Sequence, residues 1–124
     1  MISGVVTNDA EATVRLRIRA ANGREHECRA LIDTGFNGYL ALPTSLVTDW
    51  GLSLTGSARA VLGDGSDAVL SLSEAAVRWD GRRRVVDVLA VADGTLVGMS
   101  MLKGYRLNVD VHPGGVVLIE RLVH

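Results

Sequence analysis

The segment with the clearest chemical potential is Asp33-Thr34-Gly35, which follows the apolar run Ala30-Leu31-Ile32. The apolar run predicts a buried strand, so the aspartate would project from a rigid element into the cleft beyond it. The glycine would let another backbone or a substrate approach closely, and the threonine hydroxyl could fix the turn by bonding to backbone. These residue types are also common in ordinary turns, so the tripeptide alone leaves a plain turn as an alternative.

Two later segments have the composition of elements that could serve such an aspartate. The first, Val61-Leu62-Gly63-Asp64-Gly65-Ser66, is a glycine-flanked hairpin tip, and its flexibility suggests a lid. The second, Leu96-Val97-Gly98, opens a short helical stretch over Gly98 to Lys103, which Gly104 would end.

Taken in this order, the three segments resemble the retropepsin-like aspartic proteases, the single-domain, homodimeric relatives of pepsin, and the chain looks like a prokaryotic member. The resemblance runs from about Ala30 to Leu102 and extends plausibly over the whole chain. Retroviral members usually follow the tripeptide with Ala or Ser and carry an Arg-Asn or Arg-Asp pair after the last glycine. Here those places hold Phe36-Asn37 and Met99-Ser100.

The resemblance implies a role for each segment. The catalytic residue would be Asp33, and the active-site loop would be supported by Thr34 and Gly35. The flap over the substrate would be formed by Gly63, Asp64 and Gly65, and the motif before the C-terminal helix by Leu96, Val97 and Gly98. The implied fold is an all-β, closed, barrel-like retropepsin (acid protease) fold with one short C-terminal helix, acting as a homodimer.

A single copy of the tripeptide implies that the active site needs a second subunit. Aspartic proteolysis uses two carboxylates that share one proton, because two like charges so close together cannot both ionise. The second carboxylate would therefore be Asp33 of another copy, related by a two-fold axis. By resemblance, Thr34 would hydrogen-bond across that axis and the terminal strands would interleave. The apolar segment from Gly115 to Glu120 could be such an interface strand or, equally well, a core strand of the monomer.

The alternating segments and the turn-forming residue pairs in the rest of the chain predict a mostly antiparallel β domain. Thr13 to Arg19 alternates apolar and basic residues, which indicates a strand with one buried and one wet face. Asn-Gly, Asp-Gly and Gly-Gly pairs recur and predict hairpin turns at Asn22-Gly23, Asn37-Gly38, Asp64-Gly65, Asp80-Gly81, Asp93-Gly94 and Gly114-Gly115. Further strands are predicted at Glu27–Ile32, Ala58–Leu62, Ala68–Leu72, Ala75–Trp79, Arg84–Val91, Arg106–Val111 and Val116–Glu120, and a short helix at Pro43–Trp50.

Composition narrows the functional classes. The 124 residues predict one domain over 1–124, and 13 Lys and Arg against 14 Asp and Glu argue against a generally basic nucleic-acid binder. The apolar runs are too short for a membrane-spanning helix, and the single Cys28, which would pack within its strand, favours a reducing, cytoplasmic setting. Neither a cofactor nor a metal is expected, since Asn108, Asp110 and His112 share a strand face but offer too few good ligands.

Together these observations predict an aspartic endopeptidase that binds a peptide or protein substrate between two subunits. The alternative is a non-catalytic dimeric β module of the same fold that binds peptides or partner proteins. Arg82-Arg83-Arg84 predicts a solvated hairpin, with a nucleic-acid patch as the lesser alternative, because Asp80 and Asp87 dilute its charge.

Overall fold

The computed structural model describes residues 1–61 and 63–123, and β-strands dominate it. The elements in chain order are β1 (Ile2–Val6), β2 (Ala12–Arg19), β3 (Glu25–Ile32), β4 (Leu40–Pro43), α1 (Thr44–Asp49), β5 (Ser53–Val61), β6 (Asp67–Trp79), β7 (Arg82–Val91), β8 (Leu96–Val97), α2 (Met99–Leu102), β9 (Tyr105–Val109) and β10 (Val116–Arg121). Neither helix is long and apolar enough to cross a membrane.

The ten strands form one sheet that closes on itself. Their order is β5-β6-β7-β4-β8-β3-β2-β1-β10-β9, and an additional pairing between β6 and β2 closes a six-stranded barrel. The closure uses the second half of β2, where Ile18 lies opposite Val77. The first half of the same strand pairs with β1, where Val14 lies opposite Gly4. The sheet therefore continues past the barrel as β1, β10 and β9.

The barrel interior is filled by the apolar positions of strands that alternate. In β2, Val14, Leu16 and Ile18 are buried, while the three arginines that alternate with them are exposed, as the sequence predicts. The largest buried side chain is that of Trp79 on β6, which packs edge-on to Tyr105 with ring centroids 5.9 Å apart. Burial of these faces is the main stabilising term, since about 25 cal/mol is gained for each Å² of apolar surface removed from water.

The structure confirms the all-β architecture and differs from the predicted elements in several places. Ala68–Leu72 and Ala75–Trp79 belong to one continuous strand, β6, because Ser73 turns inward and is buried without breaking the ladder. Strands β1, β4 and β8 were not predicted; β4 and β8 are too short to show a period of two. The strand predicted to end at Val111 ends at Val109. Leu62, the predicted end of another strand, lies outside the described residues.

The predicted turns are confirmed in part. Asp80 and Gly81 both have positive φ, 53° and 77°, as a two-residue hairpin of the favoured type requires. Asn37-Gly38, by contrast, forms no hairpin; both residues belong to the irregular loop between β3 and β4. Tertiary hydrogen bonds to the segment after β8 hold that loop and override the local turn preference.

Of the two alternatives that the sequence leaves for the segment from Gly115 to Glu120, the structure shows the core strand of the monomer, β10. It pairs with β1 on one side and with β9 on the other, and Val117 and Ile119 are buried. The chain reverses after β9 through the Gly114-Gly115 turn and inserts β10 between its neighbours. At this end of the sheet the edge strand is therefore β9, which pairs on one side only among the described residues.

Candidate active site

The Asp33 loop leaves the barrel at the end of β3 and is fixed by hydrogen bonds at its first residues. The Asp33 amide donates to the Val97 carbonyl oxygen at 2.9 Å, and the Phe36 amide donates to the Asp33 carbonyl oxygen at 3.1 Å. The Gly35 amide donates to Asp33 Oδ1 at 2.9 Å. Among the described residues, Asp33 Oδ2 has no hydrogen-bond partner, so one carboxylate oxygen remains available for chemistry.

The short strand β8 explains why the loop starts where it does. It lies between β3 and β4, parallel to β3 with Ile32 opposite Val97, and antiparallel to β4 with Leu40 opposite Val97. The chain must therefore leave β3, pass around the end of β8 and return on its other side as β4. The Asp33 loop is this passage, which places the aspartate at the mouth of the barrel.

The segment after β8 braces the far side of the loop. Gly98, Met99 and Ser100 donate their amides to the carbonyl oxygens of Tyr39, Phe36 and Gly38 at 2.9, 2.7 and 3.1 Å. The Ser100 hydroxyl donates to the Asn37 carbonyl oxygen. The residues that make these contacts include Phe36, Asn37, Met99 and Ser100, which differ from those usual in retroviral members.

Gly98 is required by the closeness of the two segments. A Cβ at this position would lie 2.7 Å from the carbonyl oxygen of Phe36 and still closer to that of Gly38. Real Cβ atoms do not approach backbone oxygens so closely, so any side chain would push the loop away. Gly98 thus packs against the loop that follows Asp33-Thr34-Gly35, and the hydrogen bond from the Asp33 amide to the Val97 carbonyl oxygen brings the two motifs into direct contact.

Asp33 opens onto an apolar groove with a cavity volume of about 430 Å³. Asp33 and Thr34 form its polar end, and Glu11 also lines it. The other lining residues are apolar and come from four parts of the chain: Ala10, Ala12, Leu31, Ile32, Leu96, Leu107, Val109 and Val111. The groove combines a positioned carboxylate with surface that excludes water, which is the usual character of a substrate or ligand site.

The edge strand β9 contributes residues that the sequence analysis did not select. Leu107 and Val109 alternate with the polar residues considered above as metal ligands, and they face the groove while Asn108 is exposed. The sequence contained this signal, because Leu107 and Val109 are the apolar positions of a segment that alternates between apolar and polar residues. Among residues 1–61 and 63–123 no three His, Cys, Asp or Glu side chains are grouped as a metal site.

The predicted flap is the hairpin between β5 and β6, with Gly63, Asp64 and Gly65 at its tip. Asp64 Oδ1 accepts hydrogen bonds from the Ser66 hydroxyl and amide, at 2.5 and 2.9 Å. These bonds stabilise the ionised carboxylate and lower the pKa of Asp64, the hydroxyl having the larger effect. The tip is not among the residues that line the Asp33 groove. The structure thus joins two of the three motifs and leaves the hairpin apart from them.

Comparison with solved structures identifies the architecture. The chain superimposes on EIAV protease, solved in complex with the inhibitor HBY-793, with a TM-score of 0.61 and 18% identity over 75% of this chain and 86% of that one. It also superimposes on a retropepsin-like aspartic protease from Rickettsia conorii, with a TM-score of 0.60 and 17% identity over 98% and 91% of the two chains.

The chain has the retropepsin fold. The match to the Rickettsia protein extends over nearly the whole chain, so it includes β10 and the closed barrel as well as the region of the three motifs. No protein-family model matches the chain, and no curated protein matches it in sequence. The likeness is therefore one of fold, and the roles of individual residues must be argued from this chain's own geometry.

Proposed function

We propose that the protein is a single-domain aspartic endopeptidase that hydrolyses peptide bonds of a peptide or protein substrate. The observation that carries the proposal is the setting of Asp33: its loop is fixed by backbone hydrogen bonds from two directions, and one carboxylate oxygen has no described partner. The retropepsin fold supports the same assignment. Thr34 and Gly35 support the loop.

The chemistry requires two copies of this carboxylate. The ionised aspartate accepts a proton from a bound water as that water attacks the scissile carbonyl carbon. The protonated aspartate donates a hydrogen bond to the carbonyl oxygen and stabilises the negative charge that develops there. Each chain has one Asp-Thr-Gly, so the second aspartate is Asp33 of the partner subunit. Peptide cleavage therefore depends on a homodimer.

The open edge of β9 is the surface that supports dimerisation. The Asp110 amide donates to the carbonyl oxygen of Val116, and the Leu122 amide donates to the carbonyl oxygen of Gly104. The even-numbered residues from Gly104 to Asp110 therefore direct their backbone N–H and C=O groups toward β10. The backbone groups of Leu107 and Val109 consequently face the open edge. Two such edges, related by a two-fold axis, can pair as antiparallel strands and give each other the hydrogen bonds that an open edge lacks.

Charge complementarity selects the register of that pairing. With Asn108 on the two-fold axis, Leu107 lies opposite Val109 of the second copy, and Arg106 lies opposite its Asp110. Two opposite-charge pairs then form by symmetry, each contributing about 0.2 to 1 kcal/mol. The Leu107 and Val109 side chains of both copies join on the groove side, which brings the two Asp33 grooves to either side of one axis.

The flap hairpin would cover a peptide bound in this cleft. Val61 and Val69 are 73% and 68% exposed, so their side chains are available to contact a bound peptide. Val69 lies four positions before the buried Ser73 on β6, and Val61 lies opposite Asp67, two positions before Val69, so both valines are on the side of the hairpin that continues the barrel's inner face. An extended peptide would give these side chains an apolar contact, and its backbone would pair as an added strand.

The test is digestion of a peptide library by the wild type, by Asp33→Asn, and by Asp87→Asn as a control for loss of an exposed carboxylate. We expect cleavage by the wild type and the control, and a loss of about 100-fold or more in Asp33→Asn, which lacks the acid–base pair. Cleavage should decline at high pH, where the pair no longer shares a proton. Undiminished cleavage by Asp33→Asn would disprove the mechanism. A wild-type dimer that binds peptides and cleaves none would instead support the non-catalytic module.

A further inference from the structure

A second concave surface lies at the end of the β6–β7 hairpin and shares no lining residue with the Asp33 groove. Its cavity volume is about 490 Å³, and its walls are formed by Trp79, the three consecutive arginines from Arg82 to Arg84, Lys103 with Tyr105, and Arg121. Five of its side chains are cations, and none of its lining residues in the described part of the chain carries a carboxylate. The chain as a whole has a net charge of −1, so this concentration of positive charge is local.

Strand register places two of these arginines on the inner face of the barrel wall. Arg82 lies directly opposite Trp79 and Arg84 directly opposite Val77, and both of those partners are buried. Side chains directly opposite each other in an antiparallel pair share a face, so Arg82 and Arg84 extend from the end of the core. The guanidinium of Arg84 lies 6.0 Å from the centre of the Tyr39 ring. Arg82 and Arg83 are exposed, in agreement with the predicted solvated hairpin, whereas Arg84 is partly buried.

The carboxylate of Asp80 pairs with one cation of the cluster, Arg121, and leaves the others without an ion-pair partner among the described residues. Asp80 accepts a hydrogen bond from the Tyr105 hydroxyl at 3.3 Å and forms an ion pair with Arg121 at 3.6 Å. It also accepts a hydrogen bond from the N-terminal amino group of Met1. Arg82, Arg84 and Lys103 form no ion pair with any residue in the described part of the chain. The pocket therefore retains uncompensated cations.

The polar groups of the pocket have one further property in common, which is that they are hydrogen-bond donors. Guanidinium and ammonium groups donate only, and the Tyr105 hydroxyl can donate to a ligand in place of Asp80. The indole Nε1 of Trp79 is buried and has no acceptor among the described residues. A matching ligand must supply several acceptor oxygens and negative charge, and arginine forks fit the oxygens of phosphate groups in pairs.

We infer that this pocket binds a small ligand through a phosphate or diphosphate group. Arg82, Arg84 and Lys103 hold the anion, and Tyr105 adds a neutral donor. The site is separate from the Asp33 groove and does not depend on the proposed protease activity. Binding there would join β7, the turn before β9 and the end of β10, which all contribute lining residues to the pocket.

Calorimetric titration of the protein with inorganic pyrophosphate, at ionic strength held constant with chloride, tests the inference. We expect saturable binding that is weakened about 10-fold or more in Arg82→Gln and in Lys103→Gln, because each loses a charge-assisted hydrogen bond. The matched control is Arg15→Gln, an exposed arginine on β2 that pairs with Glu27 at 3.4 Å, and it should bind within two-fold of the wild type. Melting curves without ligand establish that each variant is folded.

A second measurement locates the ligand. Pyrophosphate should shift the backbone amide resonances of Gly104 and Tyr105 and leave those of Gly35 and Phe36 unchanged. Absence of binding, or equal weakening by Arg15→Gln, would overturn the inference. Equally tight binding of citrate would overturn the assignment to phosphate. Binding of a single-stranded oligonucleotide but not of pyrophosphate would replace a small-ligand pocket with a nucleic-acid surface.

Discussion

Gly98 and Gly38 approach so closely that a Cβ at Gly98 would lie 2.2 Å from the Gly38 carbonyl oxygen. This contact joins the end of β8 to the Asp33 loop, and the Ser100 amide, which donates to the same oxygen at 3.1 Å, reinforces it. The geometry of the candidate catalytic carboxylate therefore depends on a residue far from it in sequence.

Gly98→Ala should destabilise the protein by about 1 to 3 kcal/mol, because the loop must move to admit the methyl group. The φ of Gly98 is −99°, which alanine adopts easily, so the effect would come from the clash alone. Gly56→Ala is the control, since a Cβ there meets nothing within 4 Å. Urea unfolding of both variants measures the difference, and equal stability would contradict the contact. Peptide cleavage should fall in Gly98→Ala only.

Asn108→Cys should form an intermolecular disulfide across the proposed two-fold axis. In the proposed register, Asn108 faces its own copy as a non-hydrogen-bonded pair, with Cα atoms about 4.5 Å apart, which suits a disulfide. The variant is made in a Cys28→Ala background and oxidised before non-reducing electrophoresis. Arg106→Cys is the control, because its two copies would be separated by four residues, or about 14 Å. Cross-linking through Leu107→Cys instead would show a different register.

Ala10→Gly should stabilise the protein by about 0.5 to 1 kcal/mol. Ala10 has a φ of 61° in the turn between β1 and β2, a conformation that costs an L-residue about 1 to 2 kcal/mol. Glycine avoids that cost but loses about 0.5 to 1 kcal/mol of conformational entropy on folding. Ala12→Gly, two residues later within β2, should destabilise instead. Thermal and urea unfolding of the two variants decide the sign, and destabilisation by both would refute the strained turn.

Cys28 should alkylate about 100-fold more slowly in the folded protein than in urea at pH 8. Burial and then the charge of Glu27 raise the pKa of its thiol from 9.0 to about 11, so little reactive thiolate is present. The unfolded chain loses the proton first, so stability should fall as pH rises from about 9 to 11. Iodoacetamide labelling followed by mass spectrometry checks the rate. Fast labelling of the folded protein would contradict this environment and reopen a nucleophilic role.

Local patterning determined much of the fold. The alternation of Val14, Leu16 and Ile18 with arginines specifies a half-buried strand, because one strand face is apolar and the other charged. Asp80-Gly81 specifies its turn, because few other residue pairs tolerate two positive φ angles. The motifs around Asp33 and Gly98 could be found from the sequence through their resemblance to a known family, and the structure supplies a steric reason for Gly98.

Only the tertiary structure decided how those pieces meet. The length of β6, the position of β10 between β1 and β9, and the passage of the Asp33 loop around β8 depend on pairings between distant segments. No local period encodes such pairings. The same limit applies to the open edge of β9 and to the cationic pocket beside Trp79. The sequence by itself singled out the candidate carboxylate and the segments proposed to hold it. The closed barrel determined what surrounds that carboxylate, because packing brings together residues that are distant along the chain.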